Sequence, residues 1–195
     1  MMRKLFLLPL LLLAGTLLVQ AQDDDFSKGS FFAGYSYNRP DVSDDNDSPN
    51  LNGFNVQGAL HLNQYFAVKG DVSGHYGSEE FPLFCTQGPC PTAKLRTQLY
   101  NFLGGPEVRA GGSRKVQPFA HALVGAAHVR TSFSSEVFSG SDRSSTRFAM
   151  ALGGGLDVRL NDRFDLRVVQ VDYNPTYGDG FRSDGVRVSV GIVIK

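Results

Sequence analysis

The chain has 195 residues, 19 basic and 19 acidic side chains, two Cys and no Trp. One domain is what this length predicts, and a formal charge of zero excludes a nucleic-acid binder, which needs a basic excess to neutralise phosphates. Disorder is excluded as well, because 42% of the residues are apolar, with 15 Phe and 7 Tyr among them.

The first element in chain order is an address. Met1 to Ala21 opens with Arg3 and Lys4, continues through the apolar run Leu5 to Val19 and closes on Val19-Gln20-Ala21, with small residues at positions −3 and −1 of a cleavage site. This is the pattern of a secretory signal peptide, and its apolar core of about 15 residues is short of the roughly 20 that a spanning helix needs. Residues 22–195 are then the exported domain. In an oxidising compartment Cys85 and Cys90, set in a loop-like stretch between Pro82 and Pro91, are expected to form a disulfide. So small a ring contributes roughly 2 kcal/mol.

The rest of the chain alternates. Phe54, Val56, Gly58, Leu60 and Leu62 take one parity against Asn55, Gln57, Ala59, His61 and Asn63. Phe148 to Leu160 and Val186 to Ile194 behave alike, and period two predicts β-strands. Eight are expected: Ser30 to Asn38, Asn52 to Leu62, Tyr65 to Gly77, Lys94 to Arg109, Val116 to Phe133, Ser145 to Leu160, Arg163 to Tyr173 and Gly185 to Ile194. Tight turns at Asn63-Gln64, Ala110 to Lys115 and Asn161-Asp162 alternate with long polar loops at Arg39 to Leu51, Ser78 to Ala93, Ser134 to Ser144 and Asn174 to Asp184. An even strand number with one short-turn rim and one long-loop rim predicts an all-β, antiparallel, up-and-down barrel. Leu62-Asn-Gln-Tyr-Phe66 and Leu160-Asn-Asp-Arg-Phe164 share one turn grammar, in which Asn is expected for its tolerance of positive φ. Parity breaks after Val168, since Val169, Val171 and Tyr173 continue on the other face, and a β-bulge there restores it.

The polar parity decides which face meets lipid. It carries full charges in mid-strand, Lys69, Asp71, Glu107, Arg109, Asp157, Arg159, Asp165, Arg167 and Arg187, together with Ala149, Ala151, Gly153, Gly155, Ser189 and Gly191. Small residues among mixed charges fit a narrow filled lumen in which each charge has a partner in reach. The apolar parity then faces the bilayer, and the barrel is transmembrane. The competing reading is a secreted, soluble, lipocalin-like barrel that binds a small apolar ligand. It inverts the parity, burying Phe54, Val56 and Leu60 and wetting Asp157 and Arg159.

With these features the chain resembles the small eight-stranded outer-membrane barrels of Gram-negative bacteria, the OmpA/OmpX-like outer membrane protein beta-barrel family. The resemblance covers Ser30 to Lys195. It rests on Phe32-Ala-Gly-Tyr-Ser-Tyr37, Asn101-Phe-Leu-Gly-Gly-Pro106, Pro118-Phe-Ala-His-Ala-Leu-Val-Gly125 and Arg167-Val-Val-Gln-Val-Asp-Tyr173. It implies a location in the cell outer membrane, a lipid surround, passage through the barrel assembly machinery, a monomer, and an extracellular partner reached through the loops. The chain departs from the family at Gly191-Ile-Val-Ile-Lys195, where an aromatic end is usual, and in lacking Trp, so its interfacial girdle falls to Phe31, Tyr35, Tyr37, Tyr65, Phe66 and Phe164.

Function is read more narrowly. Eight strands enclose an interior that side chains fill, so a diffusion pore is not expected. A narrow gated path would need partner exchange among Lys69, Asp71, Glu107, Arg109 and Arg167. For an outer-membrane lipid-modifying enzyme, Asp71, Ser73 and His75 share a strand face, but same-face neighbours lie nearly 7 Å apart, too far for nucleophile and base. No GxSxG or HExxH is present, and no catalysis and no cofactor are expected. His121 and His128 have opposite parity, so one of them faces outward. Asp41, Ser43, Asp45 and Asp47 mimic alternating calcium ligands, but Asn46 replaces the expected Gly and Asn52 the bidentate Glu, so no metal site is expected. The Ser-rich stretch Ser132 to Thr146 is expected to be flexible surface.

Overall fold

A computed structural model describes residues 28–41, 49–82, 92–110, 115–135, 142–178 and 181–195. The signal segment, Cys85, Cys90 and loop positions 42–48 lie outside them. Nine antiparallel strands follow in up-and-down order: β1 (Gly29–Asp41), β2 (Leu51–His61), β3 (Phe66–Pro82), β4 (Thr92–Arg109), β5 (Val116–Ser135), β6 (Asp142–Arg159), β7 (Phe164–Tyr173), β8 (Thr176–Gly178) and β9 (Phe181–Ile194). From β1 to β7 each strand pairs with the next, β7 and β8 both pair with β9, and β1 pairs with β9 from Phe31↔Ile194 to Asp41↔Asp184, which closes the sheet into a barrel. Nine strands still make eight staves. β7 and β8 occupy one position, both between β6 and β9, and the break between them falls at Asn174-Pro175, where Pro has no N–H to give a neighbour. Instead the Pro175 carbonyl accepts from Met150 N at 3.0 Å.

The two hairpins with matching sequence close in the same way. Asn63 Oδ1 accepts from the amides of Tyr65 and Phe66 at 2.8 and 2.9 Å, and Asn161 Oδ1 from those of Arg163 and Phe164, both at 2.9 Å. Asn is used here as a double acceptor that mimics a backbone turn.

Parity is as an outward apolar face requires. Leu60 is 68% exposed and Phe54 42%, whereas Asp157 is 1% exposed; the inverted parity of a lipocalin-like barrel is therefore excluded. The register slips where the sequence alternation breaks. Leu156 pairs with Val169 but Asp157 with Arg167, and this bulge turns Gln170 and Asp172 inward while Val171 stays outside. Outward aromatics include a belt of Phe31, Tyr65, Phe66 and Phe164 toward the short turns and one of Tyr76, Tyr100, Phe148 and Tyr177 toward the long loops, with others such as Phe102 between them. On β3, Phe66 and Tyr76 are ten residues apart. At about 3.3 Å per residue and a tilt of about 40°, that is roughly 25 Å of height, the apolar band of an outer-membrane barrel.

The wall is higher than the sequence pattern indicates. β3, β4, β5 and β6 run for 17, 18, 20 and 18 residues, against the roughly 9–11 that cross a bilayer. Ladder pairing continues to Pro82↔Thr92 and Ser132↔Asp142, so much of Ser132 to Thr146, expected as loop, is strand. Above the belt neither face meets lipid, so the chain needs no alternation there.

Val72 lies outward midway between the belts of β3. Val72→Arg is expected to cost about 2–4 kcal/mol, the penalty for a cation near the bilayer midplane, measured by denaturant unfolding in lipid vesicles; Ser78→Arg, above the belt, should cost little.

Candidate functional site

In a barrel wall the backbone N–H and C=O groups point at neighbouring strands, so the chemistry of the lumen belongs to side chains alone. Its centre is Arg187 of β9, fully buried. Nη1 and Nη2 donate to the two carboxylate oxygens of Asp71 on β3 at 2.8 and 2.9 Å. Nε and Nη2 donate to Asp172 Oδ2 on β7 at 3.0 and 2.7 Å, and Nη1 also reaches Ser73 Oγ at 3.0 Å. All five guanidinium hydrogens are thereby used, in the paired geometry that makes Arg–carboxylate contacts strong.

Arg167 of β7 forms a second centre nearer the short turns. Nε and Nη2 donate to Asp157 of β6 at 2.7 and 3.0 Å, and Nη1 to Gln57 Oε1 and Gln170 Oε1 at 2.6 and 2.7 Å. Its guanidinium sits between the rings of Phe119 and Phe32, 4.1 and 4.5 Å from their centroids. Gln57 and Gln170 join the two centres, donating from Nε2 to Asp71 and Asp172, each at 2.7 Å. A third group lies across the lumen: Lys69 pairs with Glu107, Arg109 Nη2 donates to Glu107 Oε1 at 2.5 Å, and Lys69 Nζ lies 3.3 Å from His121 Nδ1. His121 Nε2 comes within 2.9 Å of Asp172 Oδ1, out of line for a hydrogen bond. At the short-turn rim Lys195 Nζ meets Asp165 Oδ2 at 2.6 Å, and Arg159 is the register partner of Asp165.

All nine charged residues singled out from the sequence thus lie on the inward parity. Lys69, Glu107 and Arg109 come together, as do Arg167 with Asp157 and Arg187 with Asp71. Sequence reading missed Gln57, Gln170, Asp172, His121, Phe32 and Phe119. Gln57 was legible as a polar residue on the inward parity; Gln170 and Asp172 become so only once the bulge is applied. Space for the network comes from missing side chains. A Cβ on Gly153 would stand 2.3 Å from Asp172 Oδ1 and 2.2 Å from the Val171 carbonyl, and one on Gly155 would stand 2.9 Å from the Phe119 ring.

Toward the long loops the lumen turns apolar, where Leu51, Leu99, Leu103, Leu123, Ala127, Ala149 and Ala151 pack together. Beside them His75 Nε2 lies 2.9 Å from Ser36 Oγ, which is 3.0 Å from Ser189 Oγ. This Ser–His contact runs between strands rather than along one, and all three residues are buried. His128 faces outward and meets Thr146 at 3.0 Å. Among the described residues no group of His, Cys, Asp and Glu is arranged to hold a metal ion.

A closed sheet with an apolar exterior, two aromatic belts and an interior of paired charges defines an integral β-barrel of the outer membrane. The chain belongs to the outer membrane protein beta-barrel domain family, which matches residues 9–192. No curated protein sequence matches it. Among solved structures it is similar to Neisserial surface protein A (15% identity, 87% of this chain and 97% of that one covered, TM-score 0.58). It is also similar to Ail, the attachment invasion locus protein of Yersinia pestis (19% identity, 85% and 97% covered, TM-score 0.54). At these identities the likeness is one of fold.

Arg187→Ala leaves Asp71 and Asp172 buried without their cation and is expected to cost about 3–5 kcal/mol, read as a lower urea midpoint in detergent micelles. Arg187→Lys, which cannot span two carboxylates with a planar fork, should recover only part of it.

Proposed function

We propose that the protein is a surface-presenting monomeric barrel, without catalytic activity, whose lumen is structural and whose interactions run through the long-loop rim. The observation that carries this reading is the tall β3–β6 wall. Beyond the upper aromatic belt its outer face presents Ser78, Glu80, Lys94, Arg96, Arg130, Ser132, Ser134, Asp142 and Ser144, nearly all exposed. Lys94 Nζ donates to Glu80 Oε1 at 2.8 Å, and that hydrogen bond, with the charge behind it, holds the Glu80 carboxyl below the usual carboxylate range. Exposed ion pairs of this kind contribute little to stability, so this polar surface is not explained by folding.

Two features support a structural lumen. Side chains fill it at both ends, by ion pairs toward the short turns and by the Leu and Ala cluster toward the loops. The Ser36–His75 contact has no exposed atom for a substrate to reach, which argues against a hydrolase. Outer-membrane lipid against the apolar face and the barrel assembly machinery during biogenesis are the remaining partners. Ail, of similar fold, has been solved in complex with the heparin analogue sucrose octasulfate. Here Arg39, Arg96, Arg130, Arg143 and Arg182 are exposed on the rim, which makes a sulfated glycan the first extracellular partner to test.

Lys94 is the only lysine on the long-loop side of the sequence. A membrane-impermeant amine reagent applied to intact cells should therefore label Lys94 and leave Lys28 and Lys115 unmodified until the membrane is broken; labelling of Lys115 on intact cells would invert the topology. In planar bilayers the purified protein is expected to give no steady conductance, and an open channel would remove the structural reading of the lumen.

A further inference from the structure

Two phenols meet on the outer wall. Tyr76 of β3 and Tyr100 of β4 have ring centroids 5.8 Å apart, and Tyr100 OH donates to Tyr76 OH at 3.0 Å. The oxygens are closer together than the ring centres, so the rings converge at their phenol ends and bring together the ortho carbons that flank the oxygens. The register explains the meeting. Tyr76 is opposite Gln98 and Tyr100 opposite Gly74, which makes the two tyrosines diagonal neighbours on one face, within reach of aromatic side chains. Gly74 leaves the space over which Tyr100 leans: a Cβ there would stand 3.3 Å from Tyr100 Cδ1. The ring planes cross at 84°, a favourable edge-to-face contact, so the pair is held in place before any reaction.

No other phenols of the chain are so placed. All seven tyrosines are described, and the hydroxyls of Tyr35, Tyr37 and Tyr173 go to Asn52, Asn50 and Asp184, while the Tyr177 ring lies against Phe148. Tyr76 is 42% exposed at the upper belt, within reach of small solutes from the external medium. The chain has no Trp, so tyrosine is its most readily oxidised aromatic side chain.

We propose that Tyr76 and Tyr100 form an oxidative cross-linking site, at which a diffusible one-electron oxidant, of the class that peroxide forms at haem peroxidases, joins β3 to β4 through a bityrosine. Each phenol gives up one electron and one proton; two equivalents of oxidant are reduced, and the protons pass to water. The two phenoxyl radicals combine at their ortho carbons, and transfer of the two ortho hydrogens to the oxygens restores both phenols. One C–C bond forms and two ortho C–H bonds break. The new bond is single, so it tolerates a large twist between the ring planes. It ties β3 to β4 covalently at the level where the tall wall leaves the membrane.

The test exposes the full-length protein, one barrel per lipid nanodisc, to a ruthenium tris-bipyridyl oxidant generated by light and persulfate. The expected result is bityrosine fluorescence and, after digestion, a linked peptide pair that carries Tyr76 and Tyr100 and is short of two hydrogens. Y76F and Y100F should each lose the fluorescence and the linked pair, and Y37F should keep both. Absence of bityrosine from the unaltered protein overturns the proposal, as does a link that maps to other tyrosines or fluorescence of full size in Y76F. Mapping the link in the unaltered protein decides the matter even where a variant does not fold.

Discussion

The structure depends on one condition: a strand in hydrocarbon must find partners for its backbone groups within the sheet, because lipid offers none. The pairing of β1 with β9 over eleven register positions meets it. Once the sheet is closed, one parity of every strand faces lipid and must be apolar, and the other faces a space too narrow to hold bulk water. A polar sequence on the inner parity is then tolerable only if its groups satisfy one another, which is why the lumen is built from bidentate Arg pairs and bridging amides rather than isolated charges.

The two Arg centres divide the work differently. Arg187 satisfies all its hydrogens with carboxylates and a hydroxyl, whereas Arg167 combines one carboxylate with two amide oxygens and two aromatic faces. Gln57 and Gln170 fit between them because an amide is both donor and acceptor, so it can take a hydrogen from one centre and give one to the other. Substituting a carboxylate at either position would supply the acceptor and lose the donor.

The barrel was legible in the sequence where lipid enforces alternation. Phe54 to Leu62 and Val186 to Ile194 declare their faces residue by residue. Legibility failed where that constraint lapses: Ser78 to Pro82 and Ser132 to Ser135 are strand by hydrogen bonding yet carry no pattern, since beyond the lipid neither face is required to be apolar. It failed again at Pro175, which divides one stave without altering the alternation around it. In the lumen, the charged residues announced themselves by parity, but Gln170 and Asp172 were hidden by a single extra residue, because a one-residue slip moves every later side chain to the other face. Phe119 and Phe32 could not be distinguished from lipid-facing aromatics by residue type, only by parity.

Contacts inside the lumen also bear on the line where the two ends of the sheet meet. Ser36 of β1 touches Ser189 of β9 and His75 of β3, and the Phe32 ring of β1 lies under Arg167 of β7. Peeling the first strand from the last therefore breaks more than one ladder. It also strips side chains from β3 and β7, which are not its neighbours across the seam. A zipper joined only at its edge opens tooth by tooth; one laced through the interior must give way across several staves at once. The seam is accordingly expected to resist lateral opening as a cooperative unit rather than to act as the barrel's gate.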